Sequence, residues 1–230
     1  MAGLALEAGE PAGLTEAARL SWRERADAHA LRRDGRRWTL WTTGIAATFG
    51  APSVVLVALE PLMLPVALLW SAHGWAVCRM QAGRGARAAL PLGSATGGRA
   101  ERVALGLLGD LLDHRPRMLA ARTGLVLEEG RMGQWLIGQR GALLVRPGGR
   151  RVDSFCVRVA EEDGLPEGDR AAHLLLALRE DEEGFLTVAN MNFSGAGWRL
   201  RRRMRARERP ALDEARAAAQ AAGASRPSGR

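Results

Sequence analysis

The sequence predicts a membrane protein, a two-helix transmembrane hairpin carrying a small cytoplasmic α+β domain. Three observations predict it. Residues 38–78 form a run of 41 with one formal charge, Glu60, which stands beside Pro61. Arginines crowd both flanks of that run and are missing from its middle. Beyond Arg99 the pattern changes to an amphipathic helix and then to short alternating segments separated by Gly and Pro.

The apolar run divides at Glu60. Residues 38–59 would make about 33 Å of helix and residues 62–78 about 25 Å, against the roughly 20 residues that one crossing needs. The second span reaches residue 80 if Arg79 lies along the helix with its guanidinium drawn up to the headgroups, and a locally thin bilayer accommodates it. Pro65 falls in a first turn, where its missing N–H is harmless, whereas Pro52 beside Gly50 is expected to kink the first helix. A buried hairpin in a soluble core would carry a polar stripe, and apart from Glu60 this run offers only Thr, Ser, Gly and His73.

Orientation follows from the arginines. Arg23, Arg25, Arg32, Arg33, Arg36 and Arg37 precede the run, Arg79, Arg84, Arg87 and Arg99 follow it, and the loop around Glu60 has none. Both termini are therefore expected in the cytoplasm. Trp38, Trp41 and Trp75 form an aromatic belt at that face, and Trp70 is expected to pack on the partner helix. Glu7, Glu10 and Glu16 occupy the place of a basic n-region, so residues 1–37 do not read as a signal peptide. Thr15 reads as the N-cap of an Arg-rich amphipathic helix running to about Arg33, either resting on the membrane surface or leading into the first crossing. Residues 81–99 read as a flexible Gly- and Arg-rich linker.

Composition excludes whole reaction classes. All 33 basic residues are Arg, and there is neither Lys nor Tyr. Without lysine there is no Schiff-base or pyridoxal phosphate chemistry, no phosphate-loop lysine and no Ser-Lys dyad. Heavy use of Ala, Gly and Arg points to a GC-rich coding sequence, hence to a bacterium and its inner membrane. Cys78 and Cys156 are too few for a metal cluster and are expected as reduced thiols. No pattern for a bound cofactor is present.

Residues 100–198 read as the α+β domain. An amphipathic helix over 101–114 places Val103, Ala104, Leu107, Leu108, Leu111 and Leu112 toward a core, and a short helix over 117–122 stops at Gly124. Strands are expected at 125–128, 134–139, 142–146 and 152–159, with hairpin turns at Arg140-Gly141 and Pro147-Gly148-Gly149. Asp169 is expected to cap a helix over 170–182, closed by Gly184, before a final strand over 185–191. The alternation of Leu174, Leu176 and Leu178 leaves a strand open there, and the acids of 180–183, which would oppose the macrodipole at a helix C-terminus, weigh toward it.

Candidate chemistry is thin. Asp110, Asp113 and His114, at i, i+3 and i+4 of one helix, offer two carboxylates and an imidazole to a divalent metal, the basis of a membrane-tethered hydrolase. The competing reading is a solvated face. Cys156 with His173 or His114 would make a thiol–base pair, against a structural strand cysteine. Ser194 lacks the upstream Gly of a nucleophile elbow. The strand pair around Leu136, Ile137, Gly138, Gln139, Arg140, Gly141, Ala142, Leu143, Leu144 and Val145 resembles the central hairpin of nuclease-related (NERD) domains. That family places acidic metal ligands on the hairpin and a lysine after it. Neither is present here.

Residues 199–230 read as a basic helical tail with a disordered end. Arg199, Arg201, Arg202, Arg203, Arg205, Arg207 and Arg209 face one acid, Glu208, within eleven residues. From Arg199 onward ten Arg and three acids give +7, whereas twelve Arg and fifteen acids give −3 over 101–198. Anionic lipid headgroups are the expected contact of these seven arginines, with Leu200, Met204 and Ala211 facing the lipid. Two readings compete with it: binding to nucleic acid, disfavoured by the lack of interleaved aromatics beyond Trp198, and docking on the chain's own acids at 161–163 or 180–183. The function expected is a binding or interaction module at the membrane surface, with no identified protein partner.

Overall fold

A computed structural model describes residues 26–87, 98–157 and 165–225. Two long apolar helices precede an α+β domain built on one antiparallel sheet. Helix α1 spans Ala28–Leu59 without a break at Pro52, a short 3-10 turn follows at Pro61–Met63, and α2 spans Leu64–Arg87. Asp27 opens α1 by accepting from the Ala30 N–H at 2.5 Å, and that bond is the main cause of its carboxyl titrating below the usual range. The Thr15 cap expected from sequence lies outside the described residues.

The two helices turn back on one another through small and aromatic residues. Ser71 Oγ donates to Ser53 Oγ at 2.8 Å, Phe49 packs on Trp70 at 5.4 Å between centroids, and Gly74 admits the Phe49 ring. Most of the remaining surface is open, with Leu59, Leu62 and Leu69 each more than 70% exposed.

The sheet is a meander of Val126–Glu129 (β1), Gln134–Gly138 (β2), Gly141–Val145 (β3), Arg151–Cys156 (β4) and Asn190–Ala196 (β5), in that spatial order. Strand alternation divides its side chains between two cores. On one face Trp135, Ile137, Leu144 and Phe155 pack with α3 (Arg99–Asp110), α5 (Glu167–Glu180), α6 (Glu182–Val188) and Leu31 of α1. On the other, Leu136, Leu143, Val145 and Phe193 pack with α4 (His114–Thr123), α7 (Gly197–Arg201) and α8 (Arg209–Ser225). Gly124 ends α4 with φ 74, a left-handed turn that side chains resist.

Several expectations are corrected. Residues 185–188 are helical and the last strand runs 190–196. Asp181 is the reason: its carboxylate accepts from the Gly184 N–H at 2.9 Å and starts α6, so the acids of 180–183 mostly stand at a helix N-terminus, where the macrodipole favours them. The segment before it is α5, the helix expected there, and the alternative strand does not form. Asp169 is not its cap; Pro166 holds that position without a side-chain bond, and Glu101 of α3 accepts from the N–H groups of Glu167 at 2.7 Å and Gly168 at 3.1 Å in its place. Val103 and Leu107 are exposed, whereas Ala104, Leu108 and Leu112 reach the core. Residues 81–87, expected in the linker, continue α2.

The basic tail is the largest correction. Leu200 is 0% exposed, Met204 2% and Ala211 0%, so none of them faces lipid. They close the second core together with Leu212, Ala215 and Ala219, because α8 brings these positions onto one stripe against the sheet. Leu212→Ala should therefore destabilise the full chain in detergent by about 2–5 kcal/mol in denaturant melts. A tail lying on lipid would leave the melt unchanged.

A second expectation concerns pH. Burial, then the neighbouring Glu101 carboxylate, pushes the Glu167 carboxyl above its ordinary value. The folded chain therefore holds that proton to higher pH than the unfolded chain does, and stability falls as pH rises from the ordinary carboxylate value through the raised one. Melting temperature of Glu167→Gln minus that of the parent chain should grow over this interval; a pH-independent difference would remove Glu167 as the cause.

Candidate functional site

The feature that ties the apolar helices to the domain is a polar seat on the first face of the sheet, beneath the start of α1. Four side chains build it from three adjacent strands. Arg146 follows β3, Arg151 and Asp153 stand two apart on β4, and Ser194 of β5 is the register partner of Asp153. Strand alternation turns all four toward α1.

Asp153 is fully buried at the centre. It accepts from Arg146 Nε, and Ser194 Oγ donates to it at 2.5 Å. Ser194 Oγ in turn accepts from Arg151 Nε at 3.0 Å. The two guanidinium groups then reach the helix backbone. Arg146 Nη2 donates to the carbonyl of Leu31 at 3.1 Å, and Arg151 Nη2 donates to that of Gly35 at 2.6 Å and to Thr39 Oγ1 at 2.8 Å. A helical carbonyl retains a second lone pair, so these charge-assisted bonds add to the helix ladder without breaking it. A buried carboxylate needs such a partner, and Arg146 is it.

Gly35 lets the helix sit this low. A Cβ there would stand 2.8 Å from Arg146 Nη2 and 3.2 Å from Ser194 Oγ. Leu31, one turn earlier, fills the apolar core beside the seat, and the Ala26 N–H donates to Thr187 Oγ1 of α6 at 3.1 Å. The first three turns of α1 thus belong to the domain before the apolar run begins. What this arrangement does chemically is hold a helix in a fixed direction. Ser194, approached by a carboxylate and a guanidinium, lies buried under the helix.

The sequence-derived candidates fare unevenly. Asp110 ends α3 and His114 begins α4, so the two helices do not carry Asp110, Asp113 and His114 on one face. All three are exposed, Asp110 pairs with Arg117 at 3.7 Å, and among the described residues no group of three His, Cys, Asp or Glu is placed to hold a metal. Cys156 is half-buried at the end of β4, whereas His114 and His173 are exposed on helices. Of the seven tail arginines, Arg201 makes a fork on Asp213 at 2.9 to 3.1 Å, Arg203 lies 5.8 Å from the Phe193 ring centre, and Arg209 Nε donates to the Met204 carbonyl at 3.3 Å. The guanidinium groups of Arg199 and Arg202 lie over the ring of Trp198 at 5.4 and 5.0 Å. Arg207 lies within electrostatic reach of Glu167, and the backbone N–H of Arg205 donates to Glu208 at 2.9 Å.

No protein-family model matches the chain, the nuclease-related one included, and no curated protein or solved structure is significantly similar to it.

Gly35→Leu should lift α1 from its seat. Amide exchange over residues 28–39 should then accelerate, while the central strands 134–145 stay protected. Unchanged exchange at 28–39 would mean that the bonds from Arg146 and Arg151 do not hold the helix.

Proposed function

We propose that the chain is a membrane-anchored protein whose α+β domain works as a binding module at the cytoplasmic surface of a bacterial cell membrane. The observation that carries this reading is the surface of the two long helices. Only 6% of the most apolar stretch of α1 is buried, and 11% of that of the second candidate span. A core helix of a soluble domain would be covered; these two contact chiefly each other, and a bilayer is the solvent that suits what they leave open. Hydrogen bonds within the pair support the reading: the hydroxyls of Thr39, Thr42, Thr48 and Ser53 donate to carbonyls four residues back, so polar groups on the apolar surface are satisfied internally. The arginine asymmetry favours both termini in the cytoplasm and the turn at Glu60 outside.

The domain's role in this reading is recognition. Two shallow clefts mark its surface: one beside α1 lined by Ala30, Arg33, Thr187 and Asn190, the other between Arg131, Pro147 and Ala219. Neither gathers a nucleophile with a base.

A reporter active only in the cytoplasm, fused after Arg230, should be active, and a reporter active only outside, inserted at Glu60, should be active as well. The opposite result at either position would sink the hairpin topology.

A further inference from the structure

The direction in which α1 leaves the domain fixes which end of the sheet meets the bilayer, if the hairpin crosses it. Helix α1 starts beside Thr187 of α6, passes Leu31 and Gly35 over Arg146 and Arg151, and reaches Thr39 still bonded to Arg151. The apolar run begins at Trp38. The membrane-proximal end is therefore the one that carries Arg151, and Ala196 is its register partner. The Gly197 N–H donates to the Arg150 carbonyl at 3.0 Å, which fixes the next residue, Trp198, at the same end.

Trp198 is 51% exposed and has guanidinium groups from both Arg199 and Arg202 over its ring. The hairpin repeats this pairing at its own margin, where Arg79 lies 5.0 Å from the ring centre of Trp75. The rest of the basic segment leaves. Arg201 and Arg209 are engaged within the fold, and the chain descends to Arg207 near Glu167, whose side chain is bonded to that of Gln139 at the opposite end of the sheet. Helix α8 then returns, and the Ala219 carbonyl accepts from the Gly148 N–H at 2.9 Å.

We infer that Trp198, Arg199 and Arg202 form a second point of membrane attachment, which takes anionic phospholipid headgroups. The indole ring suits the boundary between acyl chains and water, and the two guanidinium groups supply the positive charge and the forked donors that phosphate oxygens accept. The other tail arginines do not share this role. The inference rests on the membrane reading of the hairpin and narrows the basic segment to three residues.

The test uses the full chain reconstituted in vesicles of phosphatidylcholine and phosphatidylglycerol brominated on its acyl chains. The emission attributable to Trp198 is the difference between the parent chain and Trp198→Phe; that of Trp70, inside the hairpin, comes likewise from Trp70→Phe. The bromines should quench both differences at low salt. The ratio of attached to detached Trp198 read from that quenching should fall about fivefold for each arginine removed at Arg199→Gln and Arg202→Gln, fall as salt shortens the screening length, and stay unchanged in Arg205→Gln with Arg207→Gln. Quenching of Trp70 without Trp198 would overturn the attachment point and leave the hairpin intact. If neither residue is quenched, the hairpin reading fails and this one with it. Equal quenching of Trp198 by brominated phosphatidylcholine alone, insensitive to Arg199→Gln and Arg202→Gln, would overturn recognition of anionic headgroups.

Discussion

Two arginine side chains donating to the backbone of one helix hold this structure together as a single object. The bonds from Arg146 and Arg151 to the carbonyls of Leu31 and Gly35 join elements more than a hundred residues apart in sequence. Without them α1 would keep only the packing of Leu31 in the core and the Ala26 N–H bond to Thr187 to set its direction on the domain. The seat is polar, yet its energetics are those of a buried network. Asp153 is enclosed, so its charge is tolerable only while Arg146 stays bonded to it, and the arginines keep their aim only while Asp153 and Ser194 hold them. The helix, the strands and the four polar residues are therefore mutually dependent.

The same strategy recurs with carboxylates at two other joints. Glu182 is 5% exposed and accepts from the N–H groups of Arg131 at 2.8 Å and Met132 at 3.1 Å and from Trp135 Nε1 at 2.6 Å, which fixes the β1–β2 turn to α6. Glu101 closes the open end of α5 from a neighbouring helix. In each case a charged side chain satisfies backbone groups of a distant segment through hydrogen bonds stronger than those between neutral groups.

How much of this was legible in the sequence depends on distance along the chain. The apolar hairpin and strands β1 to β4 were legible because their signals are local: a run without charges, alternation, and Gly or Pro at each turn. Helix α6 was missed because Phe185, Leu186 and Val188 suit a strand, and the cap that decides the matter, Asp181, stands in an acidic run that read as one block. The seat was hidden for another reason. Arg146 and Arg151 flank a glycine turn, where arginines are ordinarily solvated, and nothing nearby marks Leu31 or Gly35 as their partners. The tail misled through composition. Its arginines drew the eye from Leu212, Ala215 and Ala219, a stripe at helical spacing that signals a core-facing helix.

The position of α8 at the end of the fold also sets an order of events during synthesis. Leu136, Leu143 and Val145 leave the ribosome well before Leu212 and Ala215, which pack in the same cluster. Until α8 emerges, the part of the sheet that Leu212, Ala215 and Ala219 cover presents apolar surface next to unfinished chain, the kind of intermediate that aggregates. The seat for α1 lies on the opposite side and uses only residues up to Ser194. A nascent chain can thus secure α1 on one side of the sheet while the stripe that α8 covers on the other is still bare.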